Sequence, residues 1–173
     1  MLYVSFNQDA SCFAVGTERG FKIYNSYPFK DNFERVLDGG IGIVEMLHRC
    51  NIVALVGGGR NPKYAPNKVI IWDDHQVKVI SELRFTSYVK SVKLKKDKII
   101  VVCEQKIYVF NFISFQNIDT IDTYENPKGI VSVSSDPKIT VLAYPDKTKG
   151  YVRVKSYDKS ITALINAHES AIA

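Results

Sequence analysis

The chain has 173 residues, 46% hydrophobic and 24% charged, enough apolar material for a packed core and too balanced for a disordered or fibrous protein. Its net charge of +5 and pI near 9.0 favour an anionic partner, whether a phosphoinositide membrane, a nucleic acid or an acidic protein surface, without choosing among them. No stretch approaches the roughly 18 uninterrupted apolar residues of a membrane span, and Met1-Leu2-Tyr3-Val4 lacks the basic and long apolar regions of a signal peptide, so a soluble cytosolic product is expected.

Taken in order, the apolar alternation predicts strands at Leu2 to Phe6, Cys12 to Gly16, Phe21 to Asn25 and Phe33 to Leu37, with Asn7-Gln8-Asp9 and Glu18-Arg19-Gly20 as turns. After Asp38-Gly39-Gly40 a second group runs Ile43 to Leu47, Asn51 to Val56, Lys68 to Asp73 and Val77 to Leu83, with an expanded loop from Gly57 to Asn67. A third group reads Tyr88 to Leu94, Lys98 to Cys103, Ile107 to Asn111 and Asn117 to Thr123. The fourth reads Gly129 to Ser134, Ile139 to Tyr144, Tyr151 to Asp158 and Ile161 to Asn166. The strands are short and rich in Val, Ile, Tyr and Phe, and no segment sustains a helical period, so very little helix is expected.

An aromatic residue followed by Asp or Asn recurs at Tyr24-Asn25, Trp72-Asp73, Phe110-Asn111 and Tyr157-Asp158, at intervals of 48 (72 − 24), 38 (110 − 72) and 47 (157 − 110) residues. Blades of the WD type repeat every 40–45 residues or so, and each is a four-stranded sheet. The fold expected is therefore all-β, a β-propeller of WD-repeat type with about four blades: 2–37, 43–83, 88–123 and 129–166. The segment from Ala167 to Ala173 reads as the start of a fifth blade, so the chain is expected to be the first part of a larger ring. An open ring has unpaired strand edges, which predicts self-association.

The residues offer little chemistry of their own. Cys12, Cys50 and Cys103 lie in or beside apolar runs with no C-x-x-C pair, and read as reduced, mostly buried thiols. Gly57-Gly58-Gly59-Arg60 has no following Gly-Lys-Ser/Thr and suits a tight turn better than a phosphate cradle. His48 and His75 fall in different blades and the acids are scattered through turns, so no catalytic or metal-binding set is expected, and no cofactor. The lysines at 90, 93, 95, 96 and 98 read as a solvated hairpin turn before a binding patch. The aromatic spacing suits core packing better than a base-stacking platform, which leaves nucleic-acid binding as the weaker alternative.

The runs Gly20-Phe21-Lys22-Ile23-Tyr24-Asn25, Ala54-Leu55-Val56-Gly57-Gly58-Gly59, Pro66-Asn67-Lys68-Val69-Ile70-Ile71-Trp72-Asp73-Asp74, Asn126-Pro127-Lys128-Gly129 and Ala167-His168-Glu169 together resemble the PROPPIN family. These are the autophagy propellers called WIPI proteins in animals, and the likeness is greatest to the subgroup of the third and fourth human paralogues. The resemblance implies a seven-bladed ring, non-enzymatic, that binds phosphatidylinositol 3-phosphate and 3,5-bisphosphate. It implies a cytoplasmic protein, peripheral on phagophore and endolysosomal membranes. In the family the headgroup pockets flank a Leu/Phe-Arg-Arg-Gly motif, which this chain does not contain. What carries over is His168, with Ser170, from the Ala-His-x-Ser segment of the first pocket, where an imidazole can donate to a phosphate oxygen. Without the paired arginines, this chain alone is expected to bind headgroups only by non-specific attraction. The long loop of the second blade matches the region that docks an autophagy lipid-transfer protein. There Pro66 and Asn67 stand in the place of a Pro-Arg pair, with Lys68 or Arg60 as the substitute charge. The alternative to a lipid effector is a WD-type protein-interaction scaffold without lipid binding.

Overall fold

Every regular element is a β-strand among the described residues, 1–172 of this computed structural model. The chain divides into two compact units, one ending at Leu94 and the other beginning at Lys95. In the first lie β1 (Tyr3–Phe6), β2 (Cys12–Thr17), β3 (Gly20–Asn25), β4 (Lys30–Val36), β5 (Ile41–Met46), β6 (Ile52–Gly57), β7 (Lys68–Asp73), β8 (Lys78–Arg84) and β9 (Val89–Leu94). The second holds β10 (Lys98–Cys103), β11 (Lys106–Asn111), β12 (Asn117–Asp122), β13 (Ser132–Val133), β14 (Val141–Pro145), β15 (Tyr151–Ser156) and β16 (Ile161–Asn166). Hydrogen bonding in chain order gives four four-stranded sheets, β1 to β4, β5 to β8, β9 to β12 and β13 to β16, the antiparallel blades of a partial propeller. Ala173, the last residue of the expected fifth-blade start, lies outside the described residues.

The alternation of each strand decides what it buries. In the first unit Cys12, Ala14, Phe21, Ile23, Ile41, Val44, Met46, Val53, Leu55, Ile70 and Trp72 form one buried cluster. In the second, Ile100, Val102, Ile107, Val109, Leu142 and Tyr144 form another. The last strands of the first and third sheets carry polar residues: β4 and β12 have no fully buried position, whereas β5, the first strand of its sheet, is buried at five of six.

The aromatic-acid pair closes β3, β7 and β11, and the chemistry of its second member explains why Asp or Asn stands there. Asp73 Oδ1 accepts from the backbone N–H of His75 at 2.9 Å and of Gln76 at 3.2 Å, and Asn111 Oδ1 from those of Ile113 and Ser114 at 2.8 and 2.9 Å. Each side chain thus folds the hairpin turn that follows it. Just before the aromatic residue the pairing slips: between Ile23 and Tyr24, Ile71 and Trp72, and Val109 and Phe110, the ladder to the next strand contains a register shift. The fourth pair differs, because β15 ends at Ser156 and Tyr157-Asp158 lies beyond it. Asp158 Oδ2 instead accepts from the N–H of Thr140 at 2.5 Å.

The fourth sheet departs from expectation at its first two strands, where Gly129 to Ser134 gives only Ser132–Val133 and Ile139 to Tyr144 begins at Val141. The backbone groups have other partners. Asn126 satisfies both polar groups of Ile130, donating to its carbonyl at 2.9 Å and accepting from its N–H at 2.7 Å, so that residue makes no ladder. The carbonyl of Ile139 accepts from the ammonium of Lys95 at 2.8 Å and the N–H of Thr140 goes to Asp158. A strand starts only where its groups are free to pair.

Candidate functional site

The expanded loop of the second sheet is fastened along its length. Gly40 is the anchor: its N–H donates to the Asn61 carbonyl at 2.7 Å, while its carbonyl accepts from the N–H groups of Lys63 at 3.0 Å and Gly58 at 3.2 Å. The approach demands glycine, because a Cβ on Gly40 would stand 2.2 Å from the Gly58 carbonyl oxygen and one on Gly57 would stand 1.7 Å from that of Tyr64. Tyr64, half-buried, packs on the cluster of the first unit. The triple glycine is thus a backbone lock.

Arg60 sits at the near end of this loop, where its N–H donates to Glu18 Oε2 at 3.0 Å. Its guanidinium has no hydrogen bond or ion pair among the described residues, and the residue is exposed. Pro66, Asn67 and Lys68 sit at the far end, stitched to the segment after β8. The Pro66 carbonyl accepts from Val89 N–H at 2.9 Å, and the Asn67 carbonyl from Phe85 N–H at 2.9 Å. The Asn67 amide donates to the Phe85 carbonyl at 2.9 Å, which braces the loop from inside. Lys68 pairs with Glu82 at 3.1 Å, and Arg84 bonds the same carboxylate. These bonds, Lys68 first, hold the Glu82 carboxyl below its ordinary value. Pro66, Asn67 and Lys68 are therefore gathered in one place, while Arg60 is secured separately against Glu18. Of the two candidate cations, Lys68 is occupied.

In the second unit His168 and Ser170 are both exposed. The segment is held by its backbone: the N–H groups of Ala167 and His168 both donate to the Gly150 carbonyl, at 3.1 and 3.0 Å. Gly150 has φ of +83°, and a Cβ there would meet the His168 carbonyl oxygen at 2.0 Å. Beside it opens a cleft of about 370 Å³ lined by Tyr124, Asn126, Lys128, Lys149, Ala171 and Ile172 among others. Sequence reading passed over Lys128 and Lys149, since nothing in their spacing predicts a shared cleft.

The lysine-rich segment does not act as a unit. Lys93 pairs with buried Glu45 at 3.3 Å, and Lys98 bonds Asp97. Lys95 is itself buried, at 7% exposure, with its ammonium donating to the carbonyls of Ser134 at 3.0 Å, Asp136 at 2.5 Å and Ile139 at 2.8 Å. Burial pushes the Glu45 carboxyl up to about 7 against the pull of Lys93. Asp119 is a second charged node: Lys155 at 2.5 Å and Tyr157 at 2.7 Å both donate to its Oδ2. Burial alone would raise its carboxyl, but those two bonds hold it below the usual range. Among the described residues no group of three or more His, Cys, Asp or Glu side chains is arranged to hold a metal, and Cys12 and Cys103 are buried while Cys50 is exposed.

Comparison with known proteins concerns the chain as a whole. The family model described as PROPPIN matches residues 1–173. The chain is 40% identical to Autophagy-related protein 18e of Arabidopsis thaliana, over 100% of this chain and 47% of that protein. Among solved structures, Hsv2 of Kluyveromyces lactis superposes with a TM-score of 0.83 at 25% identity, covering 99% of this chain and 51% of that one. KlAtg21, solved in complex with the coiled-coil of AgAtg16, gives 0.81 at 26% identity, over 98% of this chain and 57% of that one. The chain spans about half the length of the curated relatives it matches. With a family match along the whole chain and the four antiparallel blades in place, this chain belongs to the PROPPIN family.

Proposed function

We propose that this chain is part of an autophagy-related phosphoinositide effector, a non-enzymatic scaffold that binds phosphatidylinositol 3-phosphate and 3,5-bisphosphate on phagophore and endolysosomal membranes and recruits a lipid-transfer partner. The observation that carries the reading is the family match over residues 1–173, supported by a relative described as autophagy-related. On this chain His168 and Ser170 are the headgroup candidates. Both are exposed beside a glycine-tied turn, where an imidazole and a hydroxyl can donate to phosphate oxygens. The partner candidates are Arg60, Pro66, Asn67 and Lys68. Since Asn67 and Lys68 are engaged internally, the free guanidinium of Arg60 and the ring of Pro66 are what the loop offers a partner. That KlAtg21 was solved in complex with the coiled-coil of AgAtg16 supports recruitment of a protein by this chain.

The competing reading is a WD-type interaction scaffold without lipid binding. The two separate in a flotation assay. Residues 1–173 are joined to the remaining blades of the Arabidopsis relative and mixed with vesicles containing phosphatidylinositol 3-phosphate or, at matched charge, phosphatidylserine. Preferential flotation with the phosphoinositide, lost in His168→Ala, supports the effector. Equal flotation with both lipids supports the scaffold.

A further inference from the structure

The last strands of the four sheets, β4, β8, β12 and β16, face the same hazard, an unpaired row of N–H and C=O groups that another chain can extend. Three of them carry two protections. The first is charge: Lys30, Asp31, Glu34 and Arg35 on β4, Lys78, Glu82 and Arg84 on β8, and Asp119 and Asp122 on β12. The second is a register shift in the ladder to the preceding strand, which bends an edge away from flat pairing. Strand β16, Ile161-Thr162-Ala163-Leu164-Ile165-Asn166, has neither. It contains no charged residue and no proline, and it pairs with β15 over six residues, from Tyr151 with Asn166 to Ser156 with Ile161, without a shift. All six of its residues are exposed, with Ile161, Leu164 and Ile165 about half open to solvent at 59%, 51% and 49%.

We propose that the edge of β16 is a self-association site at which a second copy of this chain adds its own β16 antiparallel, making an eight-stranded sheet across a two-fold axis. The sequence of the edge selects this occupant and a register. When Leu164 faces Leu164 of the second copy, Ala163 faces Ile165 and Thr162 faces Asn166, so apolar residues meet apolar and polar meet polar on both faces. Slipping by one residue in either direction sets polar against apolar, Thr162 with Ile165 and Ile161 with Asn166 one way and Ala163 with Asn166 the other, so it loses this complementarity. An isologous contact of this kind closes after two copies.

The test uses the full chain. Sedimentation equilibrium should give a concentration-dependent species of about twice 19.5 kDa. Leu164→Lys, which places two ammonium groups face to face at an exposed position, should raise the dissociation constant about tenfold or more while leaving the circular dichroism spectrum unchanged. The register is tested by oxidation in a Cys50→Ser background. Leu164→Cys should form a covalent dimer, because facing residues of an antiparallel pair lie about 5 Å apart between Cα atoms. Ile161→Cys should not, since its two copies would be roughly 20 Å apart. A wild-type chain that stays monomeric at high concentration overturns the proposal, as does a dimer whose affinity Leu164→Lys leaves unaltered. Cross-linking at Ile161 but not at Leu164 also overturns it.

Discussion

Glu45 shows how much a single buried carboxyl can decide. It lies on β5 at 4% exposure, where desolvation raises its pKa to about 7 and Lys93, at 3.3 to 3.4 Å, only partly offsets the rise. Between its unfolded value of 4.5 and about 7, the folded chain keeps a proton that the unfolded chain has lost. Stability therefore falls as pH rises through this window. The carboxyls with lowered values, Asp73, Glu82, Asp119 and Asp122, act with the opposite sign, at pH values below the window. Urea midpoints should decline from pH 4.5 to 7, and Glu45→Gln should flatten that decline; an equal slope in the two proteins would refute this role. At the same scale Asn25, Asp73, Asn111 and Asp158 look alike in the sequence, yet only Asp73 and Asn111 accept from the N–H groups of the turn that follows them. Asn25 receives the guanidinium of Arg49 at 2.7 Å, and Asp158 caps the approach to β14.

At the scale of elements, the first hairpin of the fourth sheet depends on a lysine from outside it. Lys95 supplies the donor for three carbonyls and also reaches the Ser134 hydroxyl at 3.3 Å, with no carboxylate partner among the described residues, an arrangement that keeps the ammonium solvated by the backbone. Lys95→Met fills the same volume and removes the donor of the Ser134 and Asp136 carbonyls, while that of Ile139 keeps the Ser134 hydroxyl at 2.6 Å. The expected cost is about 1 to 3 kcal/mol, from carbonyls that lose their donor. It should be accompanied by faster amide exchange across 132–141, and full protection of that segment in the variant would show that the strands hold without the lysine. The long loop of the second sheet is the converse case. Pro, Gly and Asn made it legible as a loop, but its rigidity comes from Gly40, Gly57 and Gly58 packing backbone on backbone, which no periodicity announces.

For the whole molecule the excess of +5 is spread, because several of the cations are committed: Lys22 to Glu34, Arg35 to Asp74, Lys106 to Asp122 and Arg153 to Asp146. Attraction of this chain to an anionic surface should therefore be diffuse. Adsorption to phosphatidylserine vesicles should be lost as salt is raised from about 0.1 M to 1 M, where the screening length shrinks from roughly 10 to 3 Å. Adsorption that survives high salt would instead reveal a built pocket.

The sequence by itself determined the all-β class, the four blades and the family, since period-two alternation and a repeated aromatic-acid pair follow from local chemistry and need no knowledge of neighbours. It also marked the candidate residues His168, Ser170, Arg60, Pro66, Asn67 and Lys68. Only the tertiary structure decided which of these are available, occupying Lys68 with Glu82 and turning Asn67 onto Phe85 while fastening Arg60 by its backbone N–H to Glu18 and leaving its guanidinium without a hydrogen bond or ion pair among the described residues. It alone buried Lys95 among carbonyls 39 to 44 residues away in the chain, and shortened β13 and β14 accordingly. The reason is the same in each case: a polar group's fate is set by whichever partner the folded chain brings within about 3 Å, and that partner is seldom a neighbour in sequence.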